Sequence, residues 1–498
     1  MGYTSNVNWS NLNCKSEEID GSYAIYRNTE ACFQVVSDMV ASRAVWYYKD
    51  GDVFIASSSQ RAIIIYLGSF EFNNKVIPWM LSSGTIGPGL SYDKRLSLLE
   101  PNSLLSLNKE KWILDKTNIE IKLTNNYISK QRAKTDLKKA IETSFAKLEI
   151  DYNKFVLPLS GGYDSRGILL FLKNKIKIKT ITWGVRESLE EKDNDAYIAK
   201  KLANKVGVEN YFFESYKEGV FLKESLDKFL ANSEGRIDHI GGYLDGMAMW
   251  KAFFENGFEC IIRGDELVGL SNVSSELEAR RDESLTVLSD YYNIDKKIIA
   301  KLPKQSIPQS PYDDLYKTKG YWAIFNEHPI VFSALNDIKL SYVEIFNPLL
   351  SASIINVVTK MFDKRFIGDK QSFKDIVDEL CDVAIAKKGA NKPLEKVLSS
   401  LEMKKEVHHT LSSFDNYKVI DKEIIDYALA NIKFSNKMEK KNINKTEIIR
   451  KLLPDCVIKF LRRNVNKREM DWNSFAFRIY IVVRMIDIFN KDLNIIEK

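Results

Sequence analysis

The chain has 498 residues, of which 45% are hydrophobic, with 73 basic and 67 acidic side chains and a net charge of +6. That size and balance provide for two or three domains with large cores, and they exclude a disordered or collagen-like chain. No run approaches 18 uninterrupted apolar residues, which argues against a membrane span, and so small a charge surplus makes no case for nucleic-acid binding.

Residues 1–125 read as a β-rich, α+β domain. Short β runs at Tyr23–Tyr26, Cys32–Val36, Val45–Tyr48 and Val53–Ala56 are punctuated by Asp20-Gly21, Asp38 and Lys49-Asp50-Gly51-Asp52. The stretch Tyr48–Val53 carries a hairpin signal. From about 135 the pattern changes to strands alternating with helices. Strands are expected at 155–159, 178–183, 210–213 and 258–262, and helices at 165–175 and 193–206. This alternation predicts an α/β domain over 135–498, with a doubly wound parallel sheet and a helical C-terminal part. Residues 340–498 read as mainly helical, with an apolar stripe at Ile354, Val357, Val358 and Met361. The Lys/Asn-rich stretch 433–450 reads as a solvated helical segment, because acids and isoleucines interrupt its charge. Five scattered cysteines (Cys14, Cys32, Cys260, Cys381, Cys456) form no Cys-x-x-Cys pair, and the four histidines make no zinc-type cluster. Reduced thiols and the absence of a leader-like N-terminus point to a cytoplasmic protein.

The most informative stretch is Phe155-Val-Leu-Pro-Leu159-Ser160-Gly161-Gly162-Tyr163-Asp164-Ser165-Arg166. An apolar strand runs into a two-glycine turn and then into a helix. Without Cβ atoms, Gly161 and Gly162 let backbone N–H groups close on an anion, and the helix N-terminus adds partial positive charge. Ser160 and Ser165 supply hydroxyl donors. Asp164 is an acid where a phosphate would sit, which makes sense if Mg²⁺ bridges the two. The spacing is not that of a Walker loop. It resembles the Ser-Gly-Gly-x-Asp-Ser loop of the ATP pyrophosphatase (PP-loop) superfamily, which implies ATP cleaved to AMP and pyrophosphate. In a doubly wound sheet the ligand lies across neighbouring strand ends. The strand ending at Ile262 leads into Arg263-Gly264-Asp265-Glu266-Leu267-Val268-Gly269, where two acids suit Mg²⁺ on pyrophosphate.

These residues resemble the asparagine synthetase-type family, in which a class II amidotransferase-like (Ntn) domain precedes an ATP-dependent synthetase domain. Gly264–Gly269 is similar to the family's Ser/Gly-Asp-Glu-Leu-Phe-Gly, and Thr182-Trp183-Gly184 to the strand end beside the nucleotide. Asp195–Gly207 resembles the helix that follows. Asn347–Leu350 resembles Pro-Phe-Leu-Asp, and Lys374–Val377 resembles Lys-x-Leu-Leu-Arg, with Asp378 for the arginine. Ala386–Pro393 is similar to Arg-Lys-x-Gly-Phe-x-x-Pro, which aligns Lys387 with the catalytic lysine; Lys388 fits after a one-residue gap. Asp38–Tyr47 resembles Asp-Arg-x-Gly-x-Arg-Pro-Leu-Tyr-Tyr of the amidotransferase domain. The resemblance implies ATP and Mg²⁺ as cofactors, with Leu159, Ser160, Gly161, Gly162, Asp164, Ser165, Trp183, Gly184 and Gly264 on the nucleotide. It implies Asp164 and Asp265 on the metal, and Lys387, Asp265 and Glu266 as catalytic residues.

Three departures shape the expectation. Gly2 stands where family glutaminases have a catalytic cysteine, so the N-terminal domain reads as degenerate. Ile262 stands three before Asp265, where asparagine synthetases have glutamate and β-lactam synthetases tyrosine; Glu266, Glu234 and Asp238 are then the candidate bases. Ala390 replaces an aromatic. The implied function is adenylation of a carboxylate and its coupling to an amine, within one substrate as in lasso-peptide cyclases and β-lactam synthetases. Amidation of a small carboxylate or sugar acid by ammonia is the alternative, ahead of a tRNA-modifying PP-loop enzyme or a silent nucleotide-binding scaffold. The implied partners are a small-molecule or peptide carboxylate and a partner protease or peptide-recognition protein, with no nucleic acid.

Overall fold

The computed structural model describes residues 2–4, 19–127, 129–172, 178–215, 222–244, 247–391, 394–432, 434 and 468–494. The stretch 433–450 therefore lies outside the described residues apart from Phe434, as do Cys14, Cys456, Lys392 and Pro393.

The strands are β1 Gly2–Thr4, β2 Gly21–Asn28, β3 Cys32–Ser37, β4 Trp46–Asp50, β5 Val53–Ser57, β6 Ser97–Leu98, β7 Ser103–Asn108 and β8 Ile113–Asn118 in the first quarter. They are followed by β9 Phe155–Pro158, β10 Lys179–Gly184, β11 Asn210–Glu214, β12 Cys260–Ile262 and β13 Glu344–Phe346. The N-terminal region forms an antiparallel five-stranded sheet in the order β1-β2-β3-β7-β8 and a three-stranded sheet β5-β4-β6. The expected hairpin is β4–β5, closed by Gly51-Asp52 with Asp50 opposite Val53; Gly51 takes the positive φ of +46° that such a turn demands. Helices Gln60–Leu67 and Val76–Ser83 also lie here.

The second sheet is parallel throughout, in the order β11-β10-β9-β12-β13. The chain runs outward from β9 to β11, then returns to lay β12 beside β9 and β13 beyond it. The topological switch point, where a ligand crevice opens, is therefore between β9 and β12. Alternation carries apolar side chains to both faces. Val156 and Ile261 enter one core, while Leu157, Cys260 and Ile262 enter the other. Pro158 is tolerated in the central strand because β12 pairs only with Phe155 and Val156, so no ladder partner misses its N–H.

Several expected bounds move. The helix expected at 165–175 starts earlier, at Tyr163, and is described to Leu172; the helix expected at 193–206 is Asp195–Val206, capped by the Asn194 side chain. The strand expected at 258–262 is only Cys260–Ile262. The largely helical region after 340 contributes the edge strand β13, three residues too few to show a period. The N-terminal strands close two small cores of their own, one around Ala24, Val35 and Leu105 and one around Tyr23, Ile25 and Val36, but the helices beside them do not. Ala44, Trp46, Ile63, Ile64, Val76 and Met80 share one cluster with Val156, Phe229 and the long helix Trp472–Asn494. No helix among the described residues is long and apolar enough to cross a membrane.

Candidate functional site

At the switch point the turn after β9 is drawn tight by its own side chains. The Ser165 hydroxyl accepts from the Ser160 N–H (3.0 Å) and lies 2.9 Å from the Ser160 hydroxyl, which in turn accepts from the Gly162 N–H at 3.2 Å. The Gly161 N–H donates to Asp195 Oδ1 at 2.7 Å, so the first turn of helix Asp195–Val206 is tied to the loop. Burial pushes the Asp195 carboxyl above its ordinary range, against the pull of that N–H. A Cβ on Gly161 would lie 2.5 Å from Ala386 Cβ and 3.0 Å from Ile198 Cβ, so only glycine fits between them. Leu159 is buried at the strand end, its N–H on the Ile181 carbonyl at 2.7 Å.

The loop after β12 meets this turn edge to edge. A Cβ on Gly264 would lie 3.1 Å from Asp164 Cβ and 3.3 Å from the Ser165 nitrogen; the glycine permits the approach. Asp265 is buried, with Oδ1 on Arg263 Nη2 at 2.8 Å and Oδ2 without a partner among the described residues. Burial raises its carboxyl, but Arg263, with Lys339 and His328 behind, outweighs that and holds it below the usual carboxylate range. The Glu266 side chain is 8% exposed and pairs with Lys370, while its Oε2 lacks a partner. Burial pushes Glu266 up to about 7, Lys370 pulling it down and Asp164 adding to the rise.

Lys370 is the site residue that sequence reasoning missed. Its ammonium spans Asp164 Oδ1 and Oδ2, at 3.2 and 3.1 Å, and Glu266. Burial works against its charge, yet the two carboxylates hold the ammonium above its ordinary value. A costly turn delivers it: Asp369 and Lys370 both adopt left-handed backbone, φ +53° and +57°. Two such non-glycine residues cost on the order of 1–3 kcal/mol each. The turn is docked by the Asp369 N–H on the Leu270 carbonyl (2.6 Å), and Gly269 is required beneath it, since a Cβ there would lie 2.7 Å from the Ile367 oxygen. Nothing in Gly368-Asp369-Lys370 advertises a site, because its meaning comes from a contact a hundred residues away.

The segment 383–390 straps over the turn. Arg166, fully buried, donates to the carbonyls of Val383 and, at 2.8 Å, Ala384. The Ala386 N–H reaches the Gly161 carbonyl at 3.1 Å, and the N–H groups of Lys387 and Lys388 share the Asp193 carbonyl at 2.9 and 3.1 Å. Both lysine side chains are exposed. Lys388 pairs with Glu191 at 3.6 Å, and Lys387 forms no ion pair among the described residues. Ala390 is buried against Gly184, where an added Cβ would lie 2.5 Å from the Ala390 Cβ. Trp183 stands edge-on to Trp250, with ring centroids 5.7 Å apart.

Two of the candidate bases are committed to other work. Glu234 accepts from the backbone N–H groups of Gln60 (2.9 Å) and Arg61 (3.2 Å), capping a helix. Asp238 pairs with Arg478 at 2.7 Å; burial raises its carboxyl, but Arg478 and His239 bring it down to about 2. Glu266 is the candidate that faces Asp164. Among the described residues no three of His, Cys, Asp and Glu are grouped to hold a metal unaided. The orphaned Oδ2 of Asp265, on the loop that abuts Asp164, nevertheless suits Mg²⁺, a hard cation that takes one or two carboxylates and completes its shell from phosphate and water.

No family model matches the chain, and no curated protein matches it. Among solved structures it is similar to the U34-tRNA thiolase NcsA from Methanococcus maripaludis with its [4Fe-4S] cluster, at 13% identity, over 64% of this chain and 92% of that one, with a TM-score of 0.26. A likeness at that level says nothing about what this chain does.

Proposed function

We propose that the chain is an ATP-dependent carbon–nitrogen ligase that activates a carboxylate as its adenylate and couples it to an amine. The observation that carries this is the meeting of the Ser160–Ser165 turn with Gly264–Glu266 at the switch point, two acidic loops in contact where an ordinary fold would gain nothing from them. The resemblance of both loops to the asparagine synthetase-type family supports the same reading.

The chemistry follows from leaving groups. A carboxylate oxygen attacks the α-phosphorus of ATP, the bond to the β-phosphate oxygen breaks, and pyrophosphate leaves. The amine nitrogen then attacks the activated acyl carbon, AMP departs with the bonding pair, and one proton is lost from nitrogen. The N-terminus of the helix that starts at Tyr163 and the Ser160 and Ser165 hydroxyls bind the departing phosphates, and Lys370 offsets charge between Asp164 and Glu266. Mg²⁺, when bound, supplies charge neutralisation at the pyrophosphate, and Asp164 and Asp265 are the residues to hold it. Glu266, poised near neutrality, takes the amine proton. Lys387 meets charge that develops during reaction, a contribution of roughly 10²–10³ in rate. The finer assignment is coupling within one substrate bearing both groups, a peptide or a small molecule, with ammonia as the other amine source.

The test is exchange of labelled pyrophosphate into ATP, measured across a panel of carboxylates. Carboxylate-dependent exchange, with AMP rather than ADP as product, is expected. ADP formation, or exchange undiminished in Asp164→Asn, refutes the reading.

A further inference from the structure

We infer that Arg43, from the N-terminal sheet region, is a positioning residue of the nucleotide site, acting through β13 and Arg263 on Asp265. This rests on the reading of Asp265 as a residue of that site.

Arg43 is launched by a pinned turn. Asp38 accepts from the backbone N–H groups of Tyr23 (2.8 Å), Val40 (3.0 Å) and Ser42 (3.0 Å), and Asn336 Nδ2 holds the Ser42 carbonyl at 3.3 Å. The guanidinium, 1% exposed, donates from Nη2 to Glu344 and, at 2.6 Å, to the Ile345 carbonyl. Ile345 lies in β13 opposite Ile261 of β12. The next carbonyl along, Phe346, accepts the Arg263 N–H at 2.8 Å, and the Arg263 side chain grips Asp265 Oδ1 at 2.8 Å. Four bonded steps thus join a side chain of the first fifty residues to the carboxylate at the switch point. A second connection is electrostatic: Arg263, Asp265, Asp337 and Arg43 all act on the fully buried Lys339.

As a stabilising device the arrangement is poor. Arg43 Nε and Nη1 are buried without partners, and its counter-ion Glu344 is 38% exposed on its side chain. Unmade hydrogen bonds on a buried cation cost stability, and an apolar side chain of similar volume often does as well. What such an isostere lacks is a donor that fixes the Ile345 carbonyl, and with it the strand end from which Arg263 hangs. Partners behind a metal ligand orient it and tune metal affinity, and Arg43 stands behind Arg263, the partner of Asp265.

The experiment is ATP binding to the full purified chain, by calorimetry, as a function of Mg²⁺ concentration. Arg43→Met is expected to raise the half-saturating Mg²⁺ at least about tenfold, the lower end of what loss of an outer partner costs. Arg43→Lys, which keeps charge and one donor, is expected to fold like wild type and shift it about threefold, by the same reasoning. Arg43→Met combined with Asp265→Asn should bind no worse than Asp265→Asn alone, because both act on one carboxylate. Arg61→Met, which breaks the Arg61–Asp492 pair (2.7 Å), should lower thermal stability and leave the Mg²⁺ requirement unchanged. If both Arg43 variants stay within about twofold of wild type, or the double variant is additive, the inference is overturned. Should Arg43→Met not fold, Arg43→Lys alone decides by the same limit. If wild type binds no ATP with Mg²⁺, it is the functional reading that falls.

Discussion

Glu266→Gln should stabilise the protein at alkaline pH while abolishing its chemistry. The Glu266 carboxyl stands at about 7 against an ordinary 4.5. Between those values the folded state keeps a proton that the unfolded state has released, so stability falls as pH rises from about 4.5 to about 7 and is level above it. The loss over that window is on the order of 3 kcal/mol, at about 1.36 kcal/mol per pH unit. Glutamine has nothing to titrate, fills the same volume, and leaves Lys370 its bonds to Asp164 at 3.1 and 3.2 Å. The variant should therefore match wild type near pH 4.5 and exceed it by roughly 2–3 kcal/mol at pH 8. Urea denaturation of both proteins at pH 5, 6, 7 and 8 measures the difference directly. Parallel stability profiles, or a wild type that is the more stable at pH 8, would show that Glu266 does not carry a raised carboxyl and would remove it as the amine's proton acceptor.

Asp164→Asn should keep the wild-type thermal midpoint and lose AMP formation by at least about a hundredfold, since an amide cannot neutralise a phosphate-bound cation; wild-type turnover refutes the nucleotide assignment. Lys387→Ala should lower kcat more than about tenfold with ATP binding little changed, while Lys388→Ala, already paired to Glu191, should not; if both keep half of kcat, neither lysine meets developing charge. Gly161→Ala should weaken ATP binding at least about tenfold, because its Cβ must displace the strap at Ala386. Gly162→Ala, whose Cβ would meet only the Ser160 hydroxyl at 3.3 Å, should be far milder, and equal effects would exclude the strap as the cause.

Much of the turn after β9 was legible because its signals are local. An apolar run ending at Leu159, two glycines, an acid and a helix lie within twelve residues, and each constrains the next. The β12 end was legible for the same reason. Lys370 was not, since its position depends on the left-handed pair Asp369-Lys370 docking on Gly269 and Leu270, which no nearby pattern encodes. β13 escaped because three residues cannot show alternation. Helices Gln60–Leu67 and Val76–Ser83 escaped because their apolar faces are completed by Trp472–Asn494, a partner invisible to any window on the sequence. That Glu234 holds a helix end and Asp238 an arginine was likewise beyond any local pattern.

That last packing has a consequence for how the protein is made. Val76–Ser83 is buried almost throughout, yet the helix that covers it begins 389 residues later, at Trp472. At about 5–20 residues per second, translation leaves the early helices without their cover for on the order of tens of seconds. Nascent chains should therefore recruit holdase chaperones early and release them late, and a fragment ending near residue 125 should aggregate although it contains two complete sheets. Supplying residues 468–494 in trans should restore its solubility.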